Sequence, residues 1–337
     1  MKKIPFKCDS KHAEMAYNYN VSLEANYEFP LCVWETEEGR PAKGVVIMIN
    51  GFLEGCSKNN DTTILPEHYE VIAQQLCQEN FCSILLPLPF HFERSLDYKG
   101  HTVLAPIIRL DNESNGSGEF LYNGGYTQIK ADLIQLVKQI RENPIEFNLA
   151  LDFELHLLGY SIGGATALGF FLDLNYSNTI PAFNSISILL SNYNISAITP
   201  QQIRENPLFR LAGFKDEMWA RFLTDLNNVK DDLPDYFRFV IWGDKFESVE
   251  QKIKMYYEKT DKQKLTRLMF LNGLKDTIFD PPSLAERDFS ISYLLNEYKL
   301  DDSLIKLIMI DSKHDMNRSK WEIAKEVASF VSNNKVI

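Results

Sequence analysis

Leu155-His156-Leu157-Leu158-Gly159-Tyr160-Ser161-Ile162-Gly163-Gly164-Ala165-Thr166-Ala167 decides how this chain of 337 residues is read. A short apolar run ends at Gly159, and the small residues Gly163, Gly164, Ala165 and Ala167 then open a helix able to pack very close to a sheet. Between them stands glycine, any residue, serine, any residue, glycine. A strand-to-helix turn this sharp forces its serine into a strained backbone region at a cost of about 1–3 kcal/mol. Glycines two residues to either side remove the Cβ atoms that would collide. The Ser161 hydroxyl is thereby held clear of the sheet at a helix N-terminus, where backbone N–H groups face a developing anion. A dinucleotide fingerprint needs glycine where Ser161 stands, so that use of the loop fits poorly. Tight helix packing without chemistry is the plainer alternative.

Working outward, short apolar runs alternate with amphipathic stretches. Gly44–Asn50 precedes a helical face marked by Val71, Ile72 and Leu76, and Ser83–Pro87 is the next strand candidate. Ile129, Leu133, Leu136, Val137 and Ile140 mark a helix stopped at Asn143-Pro144. Ser187–Leu190, Arg267–Leu271 and Ile305–Ile310 complete the strand candidates, with helices expected at about 283–298 and, at the end, over Ile323, Ala324, Val327, Ala328 and Val331. Strands apolar on both faces and separated by amphipathic helices predict an α/β fold with a mostly parallel sheet covered on both sides. Residues 10–40, with Leu31-Cys32-Val33-Trp34, are expected to supply one or two antiparallel edge strands. Residues 193–261 break the rhythm and carry Trp219, Phe222, Leu223 and Leu226 at helical spacing, which predicts a mainly helical cap; Phe237–Trp242 inside it has a strand-like pattern. The expected organisation is a core of residues 1–192 and 262–337 with the cap inserted between them.

A serine nucleophile needs a base. Of six histidines, His156 lies within a strand, His68 at a helix start, and His12 ahead of the core. His314 follows the last apolar strand, at the end of the sheet where the Ser161 turn also lies, and carboxyl ends of parallel strands converge on one crevice. The base in turn needs an acid to orient it. Asp276 follows the penultimate strand, shares that crevice and is the expected acid, in the chain order Ser161, Asp276, His314; Asp244, after the strand-like run Phe237–Trp242, is its competitor, and Asp280 is a weaker third.

The net charge of −11 and the absence of any Lys/Arg cluster argue against a nucleic-acid surface. No apolar run is long enough to span a bilayer, and Met1–Lys7 lacks the apolar stretch of a signal peptide. Five cysteines (Cys8, Cys32, Cys56, Cys77 and Cys82), none in a metal-binding spacing, predict reduced thiols and a cytoplasmic protein. Neither a metal nor a cofactor is expected.

Ser161, an acid and His314 in that chain order, the turn Gly159–Gly163 and the strand-helix alternation together resemble the α/β-hydrolase superfamily, over roughly residues 40–192 and 262–337. The resemblance implies an eight-stranded, mostly parallel sheet, a cap after the sixth strand, and acyl transfer from a small-molecule ester, thioester or lipid acyl substrate through an acyl-enzyme. It also implies an oxyanion hole built from the backbone N–H of Phe52, in Asn50-Gly51-Phe52 where family members commonly carry His-Gly, and that of Ile162. A serine nucleophile separates this chain from the dehalogenase and epoxide-hydrolase branches, which use aspartate. Amide hydrolysis, transfer to an acceptor other than water, and a non-catalytic ligand- or partner-binding protein on the same fold are the alternatives.

Overall fold

In the computed structural model the described residues are 1–8, 28–36, 40–51, 65–89, 128–177, 182–191, 246–260, 265–276, 304–314, 316 and 318–333, with four isolated helical positions between 201 and 227. Among them run strands β1 (Lys2–Lys7), β2 (Glu28–Trp34), β3 (Ala42–Ile49), β4 (Phe81–Leu86), β5 (Leu149–Tyr160), β6 (Ser185–Leu189), β7 (Arg267–Gly273) and β8 (Ile305–Ile310). The helices are α1 (Glu67–Gln78), α2 (Gln128–Glu142), α3 (Ile162–Ser177), α4 (Phe246–Lys259) and α5 (Lys320–Ser332).

The strands form one eight-stranded sheet in the order β1-β2-β4-β3-β5-β6-β7-β8. From β4 to β8 every pairing is parallel; β1 with β2 and β2 with β4 are antiparallel. The expected α/β class and the mostly parallel sheet are what the chain forms. Only part of the antiparallel edge fell where the pattern placed it. β2 lies within residues 10–40, whereas its partner is Lys2–Lys7, where Ile4 and Phe6 turn inward and Pro5 sits opposite Pro30 on β2. Proline gives no ladder N–H; Pro5 lies on the outermost strand, and Pro30 lies ahead of Cys32–Trp34, the stretch of β2 that pairs with β4.

Alternate residues of the central strands feed two cores. Val45, Ile47 and Ile49 of β3 join the cluster covered by α2 through Leu133, Leu136 and Val137 and by α3 through Leu168 and Phe171. Val46 and Met48 face the cluster covered by α1 and α5 through Tyr69, Ile72, Ile323 and Val327. Burial on both faces explains why these strands read as continuous apolar runs, each fully buried aliphatic side chain contributing about 1.5–3 kcal/mol. Helix α4 falls within the interval expected to be a cap; its Ile253, Tyr256 and Tyr257 pack into the first cluster, with Tyr256 edge-on to Phe171 of α3 at 4.7 Å between ring centroids. Phe237–Trp242 and the helix expected at 283–298 lie outside the described residues. Among the described residues no helix is long and apolar enough to cross a membrane.

One row rich in polar residues crosses the second face: Ser83 on β4, His156 on β5, Ser185 on β6 and Arg267 on β7 stand side by side, with the apolar Val46 of β3 between the first two. The Glu154 carboxylate only accepts, so it takes the Nε2–H of His156 at 3.2 Å and leaves Nδ1 to accept the Ser185 hydroxyl at 2.8 Å. Arg267 donates to the carbonyls of Phe330, Val331 and Asn333 at the C-terminus of α5, where a cation suits the helix dipole.

Candidate active site

Strand β5 ends at Tyr160 and α3 begins at Ile162, so Ser161 alone makes the turn. Its φ of 54° lies in the left-handed region, the strain the glycine spacing predicted. The Ser161 N–H donates to the carbonyl of Leu189 on β6 at 2.9 Å, and its own carbonyl accepts the first helical bond from Ala165. A Cβ on Gly159 would sit 2.1 Å from the Gly163 carbonyl oxygen, and one on Gly163 would sit 2.5 Å from the carbonyl oxygens of Ile49 and Asn50. Glycine is therefore required at both places by contact with backbone, which cannot swing aside. α3 lies directly against the end of β3 as a result.

The residues expected to act together do meet. Ser161 Oγ lies 2.8 Å from His314 Nε2, and His314 Nδ1 lies 2.8 Å from Asp276 Oδ2. A carboxylate accepts only, so Nδ1 carries the ring proton and Nε2 is left to accept the Ser161 hydroxyl. Ser161, Asp276 and His314 are 8%, 4% and 7% exposed, which keeps bulk water from weakening the charges that form in a reaction. Asp276 and His314 follow neighbouring strands, β7 and the edge strand β8. Their loops are joined by Leu274 N–H to the Ile310 carbonyl at 2.9 Å and Lys275 N–H to the Ser312 carbonyl at 3.0 Å. Gly273 lets the loops close: a Cβ there would lie 2.4 Å from the Ser312 carbonyl oxygen. Asp244 and Asp280, the other acid candidates, lie outside the described residues.

Ile162 opens α3, so its N–H is among those that no carbonyl within the helix can reach. Phe52, the other expected donor, lies outside the described residues, as do His12, His91 and His101. The turn that leads to Phe52 is described. Asn50 is fully buried; its Oδ1 accepts the Leu88 N–H at 2.7 Å and its Nδ2 donates to the Gly51 carbonyl at 2.7 Å. The Gly51 N–H donates to the Tyr69 hydroxyl of α1 at 3.1 Å. Asn50, read from sequence as a departure from the family's histidine, thus braces the ends of β3 and β4 against each other. Its partner lies 38 residues away, so no local pattern signals the role.

His68 and His156 sit where the pattern put them, on α1 and within β5. Burial depresses the basicity of His156, partly countered by Glu154, which suits a neutral structural ring. Among the described residues no group of three His, Cys, Asp or Glu side chains could hold a metal ion.

No protein-family model matches this sequence, and no curated protein matches it. Solved structures match its fold. The Pyrococcus furiosus esterase Pf2001 superposes with a TM-score of 0.51 at 13% identity, over 98% of this chain and 91% of that one. Esterase Est22 superposes with a TM-score of 0.52 at 11% identity, over 98% of this chain and 79% of that one. At such identities the likeness speaks for the backbone architecture, and the chain has the α/β-hydrolase fold.

Proposed function

We propose that the protein is a serine hydrolase that cleaves an ester-like bond through an acyl-enzyme. The observation that carries this reading is the unbroken series Ser161 Oγ, His314 Nε2, His314 Nδ1, Asp276 Oδ2, with both links at 2.8 Å, behind a serine held in a left-handed turn. A structural serine needs neither the strained backbone nor the two linked partners. Esterase activity in the proteins of like fold supports the choice of ester.

In the proposed reaction Ser161 Oγ attacks the substrate carbonyl carbon while its proton passes to His314 Nε2. Asp276 holds the ring in the required tautomer and stabilises the imidazolium. The carbonyl oxygen gains the negative charge and sits at the N-terminus of α3, facing the Ile162 N–H, with the Phe52 N–H proposed as its second donor. Collapse breaks the carbon–oxygen bond to the leaving alcohol, which takes the proton from His314. Water then repeats the sequence on the acyl-enzyme, giving its proton to His314, and releases the carboxylic acid and the serine. From the protein, the steps call on side chains and backbone amides, with water as the second nucleophile.

The test is Ser161→Ala. Hydrolysis of short p-nitrophenyl esters should fall about 10⁴-fold or more while the fold persists, and stoichiometric labelling by a fluorophosphonate should vanish. Labelling that survives in Ser161→Ala puts the nucleophile elsewhere.

A further inference from the structure

Tyr160, the residue before the proposed nucleophile, reaches the same residue that the nucleophile does. Its hydroxyl donates to the backbone carbonyl of His314, while Ser161 Oγ meets the His314 ring at 2.8 Å. The Tyr160 ring also lies against the His314 ring, with centroids 5.6 Å apart and planes tilted by 31°. On its other side it meets the His68 ring of α1 edge-on at 5.1 Å, and His68 rests on Tyr69 at 4.2 Å. Tyr160 is buried and held at the end of β5, which is paired with β3 on one side and β6 on the other.

The mount of His314 is different. It belongs to a loop leaving β8, the outermost strand. The bonds from Lys275 N–H to the Ser312 carbonyl and from Ser319 Oγ to the Asp311 carbonyl hold that loop at residues 311 and 312, short of the histidine. The Tyr160 hydroxyl acts at His314 itself.

We propose that Tyr160 is a positioning residue that sets the place of His314 relative to Ser161. The proposal rests on the Ser161–His314 chemistry put forward above and adds to it a means of registration. Consecutive residues of one rigid strand end grip one residue at two points, backbone and ring, so the gap between nucleophile and base is fixed by the strand that carries the nucleophile. Packing alone does not call for the hydroxyl: a phenylalanine ring would fill the same space between His68 and His314.

Tyr160→Phe separates the two roles. A net hydrogen bond of ordinary strength translates into a fall in kcat of about three- to tenfold. With p-nitrophenyl esters we expect that fall with KM unchanged within about twofold, and the fluorophosphonate labelling rate should drop by the same factor. Both are measured well below the thermal midpoint, so that all of the protein is folded. 3-Fluorotyrosine at position 160 keeps the donor and should retain wild-type kcat. Wild-type kcat and labelling rate in Tyr160→Phe overturn the proposal, as does a defect confined to KM. Slow turnover with 3-fluorotyrosine assigns the effect to the ring and overturns it too. Turnover surviving in Ser161→Ala removes this proposal together with the mechanism beneath it; an inert Ser161→Ala beside a fully active Tyr160→Phe removes this proposal alone.

Discussion

Substituting Gly163 with alanine tests how the proposed nucleophile is mounted. A Cβ there would stand 2.5 Å from the carbonyl oxygens of Ile49 and Asn50, about 0.9 Å inside the 3.4 Å at which ordinary contact begins. The obstructing atoms belong to the end of β3, paired with β4 through Leu86 and with β5 through Gly159, so the helix must give way. Relieving such overpacking costs about 1–3 kcal/mol and, in a chain of 337 residues, lowers the thermal midpoint by about 1–4 °C. Ser161 heads that helix. A shift of this size along the 2.8 Å bond to His314 Nε2 takes it past about 3.6 Å, where no hydrogen bond remains. Misplacing a reacting group by about 1 Å costs on the order of 100-fold in rate. Ester hydrolysis at 20 °C, well below the midpoint found by calorimetry, should therefore show kcat reduced about 100-fold in a folded protein. A Gly163→Ala enzyme that melts lower but turns over within threefold of wild type refutes the reasoning, because the helix would then have yielded without moving its serine.

Two other outcomes are expected. Asp276→Asn removes the charge that holds the His314 tautomer and should lower kcat about 10³–10⁴-fold with the thermal midpoint little changed; retention of more than a tenth of the activity would move the acid role elsewhere. The third concerns His156, whose folded-state proton affinity is lowered by burial. Below about pH 6.5 the unfolded chain binds this proton more readily than the folded one, so stability falls as pH drops through that window, by at most about 1.4 kcal/mol per pH unit, and is unaffected above it. Urea midpoints at pH 7.5 and 5.5 should differ less in His156→Gln than in wild type; equal differences would show that His156 titrates alike in both states.

The sequence made the turn around Ser161 legible because its constraint is local: two glycines, a serine and a small-residue helix start within nine positions. The central apolar strands were legible for a like reason: β4, β6 and β7 are buried along their whole length, and β3 is buried but for Lys43. β1 was not, because Lys2–Lys7 is short, carries three lysines and a proline, and turns only Ile4 and Phe6 inward. Asp276 is expected as the acid from its place after the penultimate strand, whereas the bonds that join its loop to that of His314 depend on the register between β7 and β8, which no pattern within one strand reveals. The polar row through His156, Ser185 and Arg267 is hidden for a like reason: each residue alone breaks an apolar strand, and only the pairing of five strands sets them side by side. Asn50 and Tyr160 were unreadable because each does its work on a backbone group far along the chain, Leu88 for one and His314 for the other.

The separation between the parts of the site has a consequence for synthesis. The chain leaves the ribosome with Ser161 first, then Asp276, with His314 following the serine by 153 residues. A nascent chain carrying the serine alone has an ordinary alcohol, no more reactive than any other on its surface. On the proposed mechanism, nucleophilicity is thus withheld during translation and conferred only when the outermost strand docks, so a polypeptide stalled or cleaved before that point would be harmless to the acyl groups around it.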